Sequence, residues 1–449
     1  MTTDTMREWW RPASTEATAR PPAALATAVA ADAQSGDRER LAFGALIAFT
    51  IILLVSPQAW FPAIKSLRIA LLAAVIAIAA HLGSRAIGRT AALPVRREMV
   101  IALALVAWAA LTIPLSIWPG GSLSSLTDHL LKAVVFFWLI GTLVTSERRL
   151  HVFAWMLSIC SIPLAVTALN NYREGVFVTA ATSAVQRIAG YVGGSGLAGN
   201  PNDLALMLNL LMPITGALLM ISRSPVLRII AGVALLLSVA AVIATFSRAG
   251  FITLAAIGVL TVLAMIRRGA LATALGVLFF GAVALALVPQ QYFTRLATIA
   301  NIEADPTGSA QGRWDDWVLS VNYIGQHPLT GAGLGQDLLA LNVERGHETW
   351  RSVHNAYLQA AVDLGLPGAA LLIALLAASF QNARRVRRIA TRHRVEGLAV
   401  VAQSVSISLA AYSVAAFFHP IAYQFYFFCL AGLAVALVNV SRTRFGSAT

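Results

Sequence analysis

The chain has 449 residues, 58% of them hydrophobic and only 12% charged, with a mean hydropathy of +0.74. No soluble core absorbs that much apolar surface, so a helical membrane protein, whose spans satisfy their own backbone hydrogen bonds, is nearly forced. A net charge of +13 would suggest nucleic acid in a soluble protein. In a membrane chain it reads as the orienting charge of cytoplasmic loops, and no nucleic-acid partner is expected.

A membrane β-barrel would show alternating strands of about ten residues. The apolar runs here are long, continuous and rich in Ala and Leu, so the fold class expected is an all-α integral membrane protein. Residues 1–40 are polar, with Pro21 and Pro22, and no short apolar region with a cleavage site follows at once. They read as a disordered cytoplasmic tail. About twelve spans follow, near the length a bilayer requires. Their expected limits are 41–56, 67–82, 98–116, 130–145, 151–169, 202–222, 226–246, 250–266, 270–288, 366–381, 396–418 and 421–440. The organisation is thus a 1–40 tail, helices over 41–288, an outer loop region over 289–365, helices over 366–440 and a 441–449 tail.

One set of loops carries Arg85, Arg89, Arg96 and Arg97, then Arg148 and Arg149, Arg223 and Arg228, and Arg267 and Arg268. It continues with Arg384, Arg385, Arg387, Arg388, Arg392 and Arg394, and ends with Arg442 and Arg444. The positive-inside rule puts this set, and both termini, in the cytoplasm. The other set contains 116–129, 170–201, the turn at 247–249, 289–365 and 418–421. A basic residue on that outer face has no orienting role, which makes Arg187, Arg248 and Arg313 candidates for ligand work. Each could equally be a surface arginine paired with a carboxylate.

Within 289–365, Trp314, Trp317, Val318, Val321 and Ile324 recur at helical spacing, predicting a helix near 312–326. Its tryptophans read as interfacial packing rather than sugar stacking. Gly331, Gly333 and Gly335 make a loop; with no strand before it, their spacing is not a dinucleotide fingerprint. A second helix is expected over 353–363, ending at Gly365 as C′ residue, with Pro367 opening the next span. His354 then falls in its first turn, facing the bundle.

Cys160 and Cys429, the two cysteines, sit inside apolar runs and read as small core residues. Glu303 and Asp305 lie in a polar loop, where carboxylates are normally solvated, and Asp315 and Asp316 should pair with basic neighbours. No metal and no cofactor is therefore expected.

The motifs of this outer face, taken in order, resemble the O-antigen ligase and polymerase superfamily. They are Arg187-Ile188-Ala189-Gly190, Gly199-Asn200-Pro201-Asn202, Ser247-Arg248-Ala249-Gly250, Gly312-Arg313-Trp314, His327-Pro328-Leu329-Thr330-Gly331-Ala332-Gly333 and His354-Asn355-Ala356-Tyr357-Leu358. The resemblance covers about residues 180–440. It implies a GT-C-like helical glycosyltransferase of the bacterial inner membrane, with a periplasmic active site. Such an enzyme moves a glycan from undecaprenyl diphosphate to a sugar hydroxyl of lipid A core; O-antigen polymerase is the alternative with the same donor chemistry. The partners implied are the carrier-linked glycan donor, the lipid A core acceptor and membrane lipids.

The chemistry fits those residue types. The leaving diphosphate departs as an anion, and arginine is always charged and forks onto phosphate oxygens. A sugar hydroxyl has a very high pKa and needs a base within hydrogen-bond reach. The resemblance makes His354 that base, with Arg187 and Arg248 catalytic and Arg313 substrate-binding. Asn200 and Asn202 are candidate glycan contacts, although a turn with a helix N-cap and Asp203 in the first turn is the plainer reading. Tyr357, one turn after His354, is a further candidate. The remaining outer histidines, His129, His327, His347 and His419, keep a structural reading, with His419 the first alternative. A secondary transporter also has many spans, but most spans here lack central ionisable residues and no internal repeat is evident.

Overall fold

The computed structural model describes residues 23–88, 96–177, 187–188, 190–191, 198–286, 290, 293, 309–346 and 350–446. Among these residues the chain is helical and contains no strand. Among the described residues, ten helices are long and apolar enough to cross a membrane. The helices used below are α1 (Ala23–Val55), α2 (Ile69–Gly88), α3 (Arg97–Thr112), α4 (Pro119–Leu143) and α5 (Glu147–Arg173). They continue with α6 (Pro201–Ile221), α7 (Pro225–Ala244), α8 (Arg248–Ile266) and α9 (Leu271–Ala286). The last are α10 (Ser309–Gln326), α11 (Asp337–Glu344), α12 (Ala356–Arg392), α13 (Glu396–Ala415) and α14 (Phe425–Phe445). Each expected span overlaps one of these helices, but those over 41–56 and 270–288 fall on α1 and α9, which are not among the ten, and residues 287–288 lie outside the described residues.

Three boundaries differ for local reasons. Helix α1 begins at Ala23, inside the stretch read as tail, where the sequence is rich in alanine, the best helix former. Helix α4 begins at Pro119 rather than near 130, and a π-helical turn at Leu126–Leu130 joins its two parts. Proline suits a first helical turn because its missing N–H is an orphan there anyway. Helix α12 carries on through the arginines after 381, since Ala and Arg favour helix and each residue added extends an existing ladder.

Helices α6, α13 and α14 lie at the centre, most of their residues buried, with Phe427, Phe428, Leu208, Leu210 and Leu409 among the core. Helices α2, α3, α7 and α8 are peripheral and present residues such as Leu103, Leu111, Ile229 and Leu236 outward. An apolar outer face is the expected partner of hydrocarbon.

Helix α12 breaks at Gly365, and the break organises the outer segment. Gly365 has φ +66°, and a Cβ there would lie 2.1 Å from the Leu329 carbonyl oxygen. The carbonyls freed by the break and by Pro367 all find partners, as buried backbone groups must. Ala332 N donates to Val362 O at 2.7 Å and Gly333 N to Asp363 O at 2.8 Å. Trp108 Nε1 donates to Leu364 O at 2.9 Å, and the Leu366 N–H crosses to Pro328 O at 2.8 Å. The glycine loop 331–335 is therefore the hydrogen-bonding complement of the break. Gly333 also packs against Ser116 and Ser122, leaving no space for a side chain.

Candidate active site

Below that loop, a chain of carboxylates leads to His354. Asp363 is fully buried, and its Oδ1 accepts the N–H groups of Gln336 (2.8 Å) and Asp337 (2.7 Å). A carboxylate from elsewhere thus satisfies orphan donors at the N-terminus of α11. Asp337, in the first turn of α11, accepts from Ser352 Oγ (2.6 Å) and Val353 N (3.4 Å). The Ser352 carbonyl in turn accepts from His354 Nδ1 at 2.7 Å. A carbonyl can only accept, so Nδ1 carries the proton and Nε2 carries the lone pair of the neutral ring.

His354 precedes the helix instead of sitting in its first turn. Asn355 is the N-cap, its Oδ1 accepting from Tyr357 N (2.9 Å) and Leu358 N (3.1 Å). His354 takes φ +49°, a left-handed conformation that costs a residue with a Cβ roughly 1–3 kcal/mol. It is fixed from both sides, because Ala356 N donates to Ala416 O at 2.7 Å. Burial lowers the His354 pKa from its ordinary value, the Arg313 guanidinium lowers it further, and the Ser352 carbonyl and Asp316 act against them.

Arg313 lies half-buried on α10 (Ser309–Gln326), and the residues around it form an ion cluster. Asp316 is fully buried and binds Arg345 (2.6 Å) and, through both oxygens, Arg351 (2.7 and 2.9 Å). Arg351 also donates to the Gly312 carbonyl at 3.0 Å. A Cβ on Gly312 would collide with that guanidinium, which explains the glycine before Arg313.

A second group stands on the N-termini of α6 and α8. Asn200 caps α6, accepting from Asn202 N and Asp203 N at 2.9 Å, and its side-chain amide donates to the Asp203 carboxylate. Asn202 Oδ1 accepts from the Arg187 guanidinium at 2.7 Å and from Ser247 Oγ at 2.8 Å. Ser247 is the N-cap of α8, so the next residue, Arg248, is held at the same end of the bundle. His419 joins the two groups. It is buried and donates from Nδ1 to Ala415 O at 2.9 Å, and the Asn202 carbonyl and Arg313 lie near its ring. Its pKa is pushed down to about 4, by burial first.

Thus Arg187, Asn202 and Ser247 form one hydrogen-bonded set, while Arg313 reaches His354 only through its charge. Asn200 serves as a cap, and Tyr357 donates to Ser413 O at 3.0 Å while packing on Phe417. Among the other histidines, His327 packs on Tyr323, and His347, with Glu303 and Asp305, lies outside the described residues. Asp316 pairs with basic residues as its sequence position suggested, whereas Asp315 accepts instead from Gln311 Nε2 at 2.9 Å; the Asp316 partners, Arg345 and Arg351, went unremarked. So did Asp337, Asp363 and Ser352. The signal for Asp363 was present, since a lone carboxylate within an apolar run demands a buried partner. Among the described residues no three His, Cys, Asp or Glu side chains gather as metal ligands.

No curated protein matches the chain. Residues 233–373 match the family model described as O-antigen ligase, a stretch holding Arg248, Arg313, His354 and Tyr357 but not Arg187, Asn200 or Asn202. That match, over residues 233–373, is consistent with the O-antigen ligase and polymerase superfamily.

Proposed function

We propose that this protein is a GT-C-like glycosyltransferase of the bacterial inner membrane, with about twelve spans. In this reading it transfers O-antigen polysaccharide from undecaprenyl diphosphate to a sugar hydroxyl of lipid A core. The acceptor O–H gives its proton to His354 Nε2, and its oxygen attacks the anomeric carbon opposite the diphosphate. The carbon–oxygen bond to the diphosphate breaks, the electron pair leaves with the phosphate, and the configuration inverts. Arg187, Arg248 and Arg313 stabilise the charge that develops on the leaving group, a term that often dominates catalysis. No metal takes part in this scheme. The arginine-rich loops support a cytoplasmic location for both termini and a periplasmic one for the site.

The observation that carries the reading is His354 itself. It is an imidazole fixed by the Ser352 carbonyl in the tautomer a base requires, with Arg313 nearby favouring its neutral form. The test is reconstitution with a defined carrier-linked glycan and lipid A core, in EDTA. Wild type transfers glycan to lipid A core, and His354→Ala loses about 10²–10⁴-fold in rate. Elongation of the glycan on its carrier would instead identify a polymerase. Full activity in His354→Ala, or loss of wild-type activity in EDTA, would overturn the mechanism.

A further inference from the structure

The end of the bundle away from His354 carries a feature that the proposed chemistry does not use. Between α1 and α5 runs an open groove of about 690 Å³, walled by Ile47, Ile51 and Val55 on one side and Trp155, Ile159 and Pro163 on the other. Its lining is almost wholly apolar, so water inside would find no partners. Helix α5 is long and apolar enough to cross a membrane, and the α1 wall is the apolar stretch 47–55, so the natural filling is hydrocarbon.

The groove has one charged mouth. Arg148 and His151 line its end at the start of α5. The charges around that mouth are otherwise committed. Arg149 donates to Leu143 O at 2.9 Å, meets Glu39 at 3.5 Å and lies over the Phe43 ring. Glu147 pairs with Arg444, and its carbonyl accepts from His151 Nδ1 at 2.8 Å. Arg148 is exposed and has no hydrogen-bond or ion-pair partner among the described residues. From Arg148 to Pro163 the helix rises roughly 22 Å, against about 15 Å for half the hydrocarbon core. An acyl chain entering beside Arg148 would lie against the apolar wall of α5 over its whole length.

We infer that this groove is a binding site for one phospholipid with a net negative head group. Its acyl chain lies between Ile51 and Trp155, and its phosphate sits at Arg148. Arginine matches phosphate because its planar fork meets two oxygens at once. The lipid comes from the leaflet at the arginine-rich end of the bundle, opposite to the leaflet of the proposed donor. The site is independent of the glycosyltransferase reading.

The test uses the full-length protein in nanodiscs of equal phosphatidylglycerol and phosphatidylcholine, released into native mass spectrometry. Wild type should retain phosphatidylglycerol about fivefold over phosphatidylcholine, the selectivity one surface cation supplies. Arg148→Gln, an exposed substitution that leaves the fold intact, should bring the ratio to parity, and Arg148→Lys should keep a preference. Ile51→Trp fills the groove and should lower retention of both lipids. Parity in wild type, an unchanged preference in Arg148→Gln, or a lipid-free dimer seated on this face would overturn the proposal.

Discussion

The two halves of the candidate site are built by different physics. The half around Arg187, Asn202 and Ser247 stands on helix N-termini that emerge directly from buried spans, each capped by its own first residues. The half around His354 lies between and beside α10, α11 and α12 and is held by three buried carboxyl groups, Asp316, Asp337 and Asp363, each reaching residues distant in sequence. Caps are local, individually modest and mutually independent. A network of buried charges is non-local, and removing one member leaves its partners uncompensated. The second half should therefore fail more steeply than the first.

The strongest test of that contrast is Asp316→Ala. It strips two guanidinium groups of their shared carboxylate, and with them the Arg351 brace on the backbone just before His354. Losing one partner of a buried ion pair costs about 3–5 kcal/mol. Arg351 keeps 38% of its side-chain surface, which screens part of the charge, so about 3 kcal/mol is expected. Thermal unfolding should show the loss, and limited proteolysis should cut first within 309–355. A variant with wild-type stability and protease resistance would remove the network from the argument.

The same distinction governs what the sequence could reveal. Hydropathy located the ten helices that are long and apolar enough to cross a membrane among the described residues, because about twenty apolar residues in a row are legible without knowing their neighbours. The Asn200 cap and the break at Gly365 with Pro367 were equally legible, being local rules of the backbone. The pairing of Asp337 with Ser352 was not, nor the sharing of Asp316 by Arg345 and Arg351. Nothing in a linear pattern says which arginine meets which carboxylate across a folded loop. The position of His354 was misread by about a turn, because the Asn355 cap one position later decides where the helix starts. Arg345 and Arg351 look no different in sequence from Arg313.

A subtler test asks whether charge in the His354 half reaches the imidazole. Burial and Arg313 both favour the neutral ring and hold its pKa below 6.5. Activity that needs the neutral base should thus persist below pH 6.5 and fall only as pH drops through the lowered value. Arg313→Gln removes the second cause, so the acidic limb of kcat/KM should move up toward 6.5 while burial keeps it from arriving there. The measurement is the limb's midpoint, separate from any loss of maximal rate. An unmoved limb would mean that Arg313 does not act on His354.

The smallest effect belongs to the capped half, and it decides whether the halves are separate at all. Asn200→Ala removes the acceptor for Asn202 N and Asp203 N and should cost about 1 kcal/mol, read as a small drop in Tm. Because the cap acts within one turn, the rate at which diethyl pyrocarbonate modifies His354 should stay unchanged, whereas Asp316→Ala should change it. One path could spoil that independence. Asn202 shares its first turn with the cap, and its carbonyl faces His419, whose ring also sits near Arg313. If Asn200→Ala alters His354 modification as much as Asp316→Ala does, the coupling runs through His419. The site would then be one network, with the helix caps as members of it.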